Sequence, residues 1–243
     1  MNNRDEAGIR VRSVNFSFGS GRASKQVLFD CDLDLLPAQV IILTGPSGSG
    51  KTTLLTLIGA LRSLQEGSIE VFGRQLRGLG ASGQTQIRKQ IGFIFQDHNL
   101  FDALTAGQTL RLAMRLFPHR HNRRTYREKP LQMLDALQLA GCEHSCPATL
   151  STGQKQRVAI ARALINHPGL ILADEPTASL DREAGLVVME LLKQRAIDEG
   201  ASVMIISHDQ RLFPFADRVV RMEDGRLVED PTGSASNTPQ HGS

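Results

Sequence analysis

The segment Gly45-Pro46-Ser47-Gly48-Ser49-Gly50-Lys51-Thr52-Thr53, directly after the apolar run Val40-Ile41-Ile42-Leu43, constrains this chain more than any other. Its spacing is G-x-x-x-x-G-K-T, the P-loop pattern. Glycines let backbone N–H groups turn inward and approach phosphate oxygens where a Cβ would clash. Leu54, Leu55, Leu57 and Ile58 predict a helix from about Lys51, whose dipole adds positive charge at its start. Lys51 is then placed to reach the β- and γ-phosphates, and the Thr52 hydroxyl to hold Mg²⁺. The bland alternative is a glycine-rich turn that happens to precede a helix. The strand before the loop and the helix after it argue against that, and predict binding of a nucleoside triphosphate.

With 243 residues and 40% apolar side chains, the chain can bury one large α/β core or two modest ones. A net charge of +3 is too small on its own to argue for nucleic acid, and no nucleic-acid partner is expected. No apolar run approaches the ~20 residues that cross a bilayer. Asn2, Asn3, Arg4, Asp5 and Glu6 lack the apolar core of a secretory signal. Three cysteines, an odd number without a framework pattern, point to a reducing compartment. Together these features predict a soluble, cytoplasmic chain.

Residues 9–18 alternate partly and 27–36 more cleanly, as in half-exposed strands of an antiparallel sheet, with Gly19-Ser20-Gly21 as the turn between them. Short strands are predicted over 67–73 and 91–95. From about Leu104 to Leu164 the pattern turns helical. Leu110, Leu112, Ala113, Leu116 and Phe117 are read as one apolar face, and Leu131, Leu134, Leu137 and Leu139 as another. Leu170-Ile171-Leu172-Ala173 and Val203-Met204-Ile205-Ile206 are continuous apolar runs, as expected of parallel strands covered on both faces. Residues 219–228 read as a closing hairpin, and 231–243 as a disordered tail without apolar content.

Asp174 and Glu175 end the strand 170–173, an apolar run followed by acids. At the carboxyl edge of a parallel sheet, Asp174 is suited to orient Mg²⁺ and Glu175 to polarise an attacking water. Alone, a solvated acidic pair at a strand end is the ordinary reading; downstream of a complete P-loop, the functional one is favoured. His208 follows the strand 203–206, where an imidazole can meet both the γ-phosphate and the water-activating carboxylate. Gln96, just past 91–95, offers an amide oxygen for Mg²⁺ or water, with a plain loop glutamine as the alternative. Leu150-Ser151-Thr152-Gly153-Gln154 opens an apparent capped helix, a second anion site at a helix start.

In this order the landmarks resemble the ATP-binding-cassette ATPases, the nucleotide-driven subunits of ABC transporters. The resemblance covers about residues 9–229 and rests on Phe18, Gly45 to Thr53, Gln96, Leu150 to Gln154, Leu170 to Glu175, Ser179-Leu180-Asp181 and His208. It implies adenine stacking at Phe18, a Walker A loop at Gly45 to Thr53 and a Q-loop at Gln96. It further implies a signature at Ser151, Thr152, Gly153 and Gln154, a Walker B strand at Asp174 and Glu175, a D-loop at Asp181 and an H-loop at His208. The fold implied is a mixed α/β P-loop NTPase core, with an N-terminal antiparallel β subdomain and an inserted α-helical subdomain at about 97–163. Residues 1–230 form one ATP-binding domain in this reading.

The catalytic set is then Lys51, Glu175 and His208, with Thr52, Gln96 and Asp174 serving Mg²⁺. Two cassettes are expected to pair head to tail as a homodimer, with ATP between the Walker A of one and the Ser151-to-Gln154 segment of the other. The pair is expected at the cytoplasmic face of the inner membrane, driving an integral membrane permease that works with a periplasmic adaptor. Asp97 to Thr105, with Leu100, Phe101 and Leu104, is the surface that would meet the permease. Gln26 to Asp30, Leu54 to Gly59, Leu61 to Ser68 and Ile94 to Leu100 are similar to the macrolide-exporter and lipoprotein-release type. More narrowly they resemble the DevA-type ATPase of cyanobacterial glycolipid export. An exported lipid, glycolipid or small hydrophobic molecule is the implied cargo.

Two positions depart from the family pattern. The signature usually has glycine where this chain has Thr152, which is costly if the position needs positive φ. The adenine position is commonly tyrosine; Phe18 keeps the ring face, and Phe16 lies two residues away on the same strand face. The cluster Cys142, His144, Cys146 offers only three ligands at one-residue gaps, so a surface segment is favoured over a metal site. The basic run His119 to Arg124, with Arg127 and Lys129, reads as a solvated loop before membrane-surface contact. The rival function is a non-transporting cassette that regulates a membrane partner, as in cell division. A DNA-repair cassette would need long coiled-coil or zinc insertions for which there is no room. An importer ATPase often carries a C-terminal regulatory domain, and here the chain ends soon after its hairpin.

Overall fold

A computed structural model of the chain describes residues 8–229. The expected tail at 231–243 lies outside the described residues. The first half runs β1 (Ile9–Phe18), β2 (Lys25–Leu35), β3 (Val40–Thr44), α1 (Lys51–Ile58), β4 (Glu66–Val71), β5 (Arg74–Gln75), α2 (Ala81–Lys89) and β6 (Ile91–Ile94). Then come α3 (Ala106–Met114), α4 (Arg123–Ala136), α5 (Thr152–Leu164), β7 (Leu170–Asp174), α6 (Arg182–Glu199), β8 (Ser202–Ile206), β9 (Arg218–Glu223) and β10 (Arg226–Glu229).

Two sheets form. The antiparallel one has the order β2-β1-β4-β5, and the other has the order β10-β9-β3-β8-β7-β6. In the second sheet β9, β3, β8, β7 and β6 are mutually parallel, and only β10 runs against its neighbour β9. The alternating pattern of the N-terminal strands and the continuous apolar runs of β3, β7 and β8 have the causes expected of them. β1 and β2 each bury one face, whereas every residue of β7 and β8 is buried.

The parallel sheet divides the interior into two apolar bodies. Ile41, Leu43, Leu172, Met204 and Ile206 face α1 and the antiparallel sheet, where they meet Leu28, Leu55 and Ile69. Ile42, Ala173, Val203 and Ile205 face the helices, where they meet Leu110, Leu134, Ile160, Val188 and Leu192. Neighbouring residues on one strand therefore belong to opposite layers, as the period of two requires. Each fully buried aliphatic side chain here contributes roughly 1.5–3 kcal/mol.

Residues 97–163 contain α3, α4 and most of α5, each with an identifiable start. Thr105 and Gln108 make a reciprocal cap on α3, and Asn122 caps α4 by accepting from the Thr125 amide. The apolar faces differ in part from expectation. Leu112, Leu116 and Leu131 are exposed, while Leu110, Met114, Met133, Leu134 and Leu137 are buried. At 100° per residue, Leu110 and Leu112 stand about 200° apart and cannot share a helix face. α2 and α6 were not anticipated.

Candidate active site

The register of the parallel sheet gathers the chemistry. Ile206 lies opposite Leu43 on one side and Asp174 on the other, so these three residues share a rung. The segments leaving β3, β7 and β8 beyond that rung are the P-loop, Glu175 and Ser207-His208. They emerge at one carboxyl edge, where ligands of such sheets bind. Gln96 follows β6, whose Ile94 pairs with Ala173, so it joins the same edge one strand further out.

In the P-loop, Gly45, Gly48 and Gly50 have φ of 138°, 81° and 106°. A Cβ on Gly45 would lie 2.1 Å from the Met222 carbonyl oxygen, so glycine is required there by space as well as by φ. Gly50 caps α1, and Leu54 N–H donates to its carbonyl at 2.9 Å. Pro46, Ser47 and Gly48 are exposed, whereas Ser49 is buried. Thr53 lies in the first turn of α1, where its carbonyl accepts from Thr56 Oγ1.

Lys51 Nζ reaches over the loop and donates to the carbonyls of Gly45 at 2.9 Å and Pro46 at 2.8 Å. Desolvation lowers its pKa, while the charges of Glu175 and Asp174 oppose the shift. Thr52 Oγ1 donates to Asp174 Oδ2 at 2.7 Å. Burial raises the pKa of Asp174 and the Thr52 hydroxyl counters it; the Glu175 charge adds to the rise. These two groups, with the Gln96 amide oxygen along the same edge, are hard oxygen donors. Mg²⁺ favours such donors, with phosphate and water oxygens filling its octahedron, so the residues present fit that ion.

Glu175 has φ of 49°, a left-handed backbone for a residue that precedes Pro176 and would ordinarily be extended. Strain of this kind persists where surrounding bonds fix it, and here they do. Glu175 N–H donates to Ile206 O at 2.9 Å, and Oε1 lies 2.7 Å from His208 Nδ1. Ser207 Oγ reaches Oε2 at 3.4 Å, a contact the sequence did not announce. The imidazole of His208 is largely exposed while the carboxylate is largely buried, so the pair bridges solvent and interior.

The remaining candidates sit elsewhere. Ser151 and Gln154 form a reciprocal cap at the start of α5, with Gln154 N–H donating to Ser151 Oγ at 3.2 Å. Thr152 lies in the first turn and has no positive φ, so the condition under which threonine would be costly there is not met. A Cβ on Gly153 would sit 3.2 Å from Ser179 O, which brings the start of α5 against the segment that leads to Asp181. Asp181 caps α6, accepting from Ala184 N–H at 2.9 Å. On the antiparallel sheet Phe16 is buried and Phe18 is exposed, their rings edge to face at 5.1 Å. Of the two, Phe18 offers a ring face, and the Arg62 guanidinium lies 4.9 Å from its centroid.

The hairpin β9–β10 also braces the P-loop. Gly225 N–H donates to the Ser49 carbonyl at 3.0 Å, and Gly225 O accepts from Phe29 N–H at 2.8 Å. The buried thiol of Cys31 donates to the same Gly225 oxygen at 3.2 Å. The sequence carried a turn signal at Asp224-Gly225, but nothing in it joined that turn to a loop near residue 48.

Comparisons with known proteins agree with this arrangement. Residues 28–178 match the family described as ABC transporter. The lipoprotein-releasing system ATP-binding protein LolD of Pseudomonas syringae pv. tomato is 36% identical over 226 residues, covering 93% of this chain and 99% of that one. The macrolide export ATP-binding/permease protein MacB of Mannheimia succiniciproducens is 36% identical over 223 residues, or 91% of this chain. The chain spans about a third of that relative's length, with 34% of it covered. Among solved structures, the dimeric ATP-binding cassette MJ0796, in a post-hydrolysis state bound to ADP and Pi, matches with a TM-score of 0.85 at 32% identity. That match covers 91% of this chain and 98% of the other. With the phosphate loop, the buried aspartate and the glutamate–histidine pair at one sheet edge, these matches place the chain in the ABC transporter family, as an ATPase cassette of the kind found in lipoprotein release and macrolide export.

Proposed function

We propose that two copies of this chain pair head to tail around ATP, and that the cycle of closure and hydrolysis drives a separate membrane permease exporting a lipid, glycolipid or small hydrophobic molecule. The observation that carries the reading is the shared edge where Lys51, Thr52, Asp174, Glu175 and His208 meet, with Glu175 held 2.7 Å from His208. Relatives whose names specify macrolide export and lipoprotein release, and a dimeric cassette of the same fold, support it.

In this proposal the P-loop amides and Lys51 bind the β- and γ-phosphates, and Phe18 stacks on the base. Thr52, Asp174 and Gln96 would hold Mg²⁺, which would supply charge neutralisation at the phosphates. Glu175 accepts a proton from the attacking water, and His208 keeps that carboxylate oriented. Ser151 to Gln154 of one copy complete the site of the other through the helix start and its hydroxyl. One ATP-binding domain, with its helical part at about 97–163, accounts for the organisation.

No helix among the described residues is long and apolar enough to cross a membrane. The proposal assigns the permease to a separate chain, which the match over 99% of the ATP-binding protein LolD supports, with this chain at a peripheral position on its cytoplasmic side and the periplasmic adaptor as part of the same proposal. A groove of about 390 Å³ supports a docking role, because Phe93, Phe95, Phe101, Leu112 and Leu116 line it and Phe101 is 64% exposed.

The test is Glu175→Gln. It should form a stable dimer with ATP on gel filtration and hydrolyse at about one hundredth of the normal rate or less. A monomer that hydrolyses ATP normally would overturn the role assignments. Co-purification of the membrane partner, with a search for lipids or peptides that stimulate ATPase activity, then tests export against a purely regulatory role.

A further inference from the structure

Gln156 lies on α5 one turn beyond Ser151 and Thr152, and it is 1% exposed. Its Nε2 donates to two backbone carbonyls, Pro176 O at 3.2 Å and Phe95 O at 3.4 Å. Pro176 is the residue after Glu175, and Phe95 the residue before Gln96. One buried amide thus joins the helix that begins with Ser151 to both loops that carry the metal- and water-handling side chains. Its Oε1 is buried without a hydrogen-bond partner among the described residues. The opposite amide orientation would face oxygen to two carbonyl oxygens, so the donor assignment follows from the surroundings.

The unpaired oxygen makes the residue informative. A buried acceptor with no partner destabilises the fold, and a methionine of similar shape would remove that oxygen at the cost of leaving the two carbonyls without a donor. What the amide provides that methionine lacks is its N–H donors, and these go to the two carbonyls. We propose that Gln156 is a positioning residue: it fastens the signature-helix start to the Gln96 and Glu175 loops, so that the three segments shift together when nucleotide and the second copy engage. It touches neither substrate nor metal. Its effect passes through the carbonyls flanking Gln96 and Glu175, and the left-handed Glu175 backbone leaves that carboxylate sensitive to movement of Pro176.

The inference rests on the proposed roles of Gln96 and Glu175, and its test separates the two. Gln156→Met should lower kcat by about tenfold or more, leave the Kd for ATP in EDTA unchanged, and raise the Mg²⁺ concentration for half-maximal activity. Its melting temperature should stay within a few degrees of the parent, because removing the unpaired oxygen offsets the two carbonyls left without a donor. Gln156→Asn, which keeps the amide on a shorter stem, should fall between them in kcat and serves as the second variant should Gln156→Met fail to fold. A folded Gln156→Met with parental kcat and Mg²⁺ dependence overturns the inference, as does a loss of kcat that tracks only a loss of stability. If Glu175→Gln itself retained normal hydrolysis, the underlying site assignment would fail instead.

Discussion

His208 Nδ1 lies 2.7 Å from Glu175 Oε1, and Ser207 Oγ approaches the other oxygen of the same carboxylate at 3.4 Å. Two consecutive residues after β8 therefore hold the carboxylate from both sides, while its own backbone sits in the left-handed region. His208→Ala should lower kcat by about 10²-fold with little change in the KM for ATP. Ser207→Ala, which removes the longer contact, should cost less than about tenfold. Steady-state ATPase assays of both variants check this, and equal losses would contradict the hierarchy.

The thiol of Cys31 is fully buried against Gly225, and burial pushes its pKa up to about 11. A folded-state pKa above the unfolded one contributes stability that is complete below the unfolded value and lost as pH rises through the folded one. Stability should therefore fall between about pH 9 and pH 11 by on the order of 2 kcal/mol from this residue. Cys31→Ala should flatten that part of the profile, as read by urea unfolding across the range. At pH 8 the native protein should be labelled by maleimide at the half-exposed Cys142 and Cys146 and not at Cys31.

Thr152 occupies the first turn of α5 with an ordinary helical backbone. Thr152→Gly should thus relieve no strain, and should destabilise the protein by about 0.5 kcal/mol through backbone entropy. A rise in stability on chemical unfolding would show that threonine is strained there after all.

Phe101 and Leu112 are exposed apolar side chains on the rim of the groove beside β6. Phe101→Glu and Leu112→Glu should leave the ATPase rate of the isolated protein within about twofold and its stability within about 0.5 kcal/mol. Retention of the membrane partner in pull-downs should be lost. Unimpaired retention would move the docking surface elsewhere.

Much of the fold could be read directly from local pattern. β3, the P-loop and α1 announce themselves because their glycines, lysine and apolar residues lie within one short stretch. β7 and β8 are legible because burial on both faces leaves an uninterrupted apolar run. α2 was missed because Ile87 is its one buried side chain, so there is no stripe to detect. α6 was missed for the opposite reason. Its apolar residues, from Leu186 and Val187 to Leu191, Leu192 and the exposed Ile197, spread around the helix.

At the proposed site, Asp174, Glu175 and His208 could be singled out from their place after apolar runs only because a complete P-loop and its pattern precede them. The grip of Ser207 on the carboxylate, the reach of Gln156 and the support from Gly225 depend on register between distant strands. Single-chain periodicity holds no record of such pairings. The condition for strain at Thr152, a positive φ, is not met, because the residue sits in the first turn of α5 with ordinary helical angles.

The turn at Asp224 and Gly225 bonds to the Ser49 carbonyl, while Met222 closes against Gly45. A loop that begins at Gly45 is thus braced by a turn that the ribosome adds only after every parallel strand of the sheet has been made. Ribosome-stalled chains that stop short of Met222 should fail to stay on immobilised ATP. ATP should accordingly give no scaffold to a nascent chain that has not yet made this turn, because the loop that would hold it still lacks its brace.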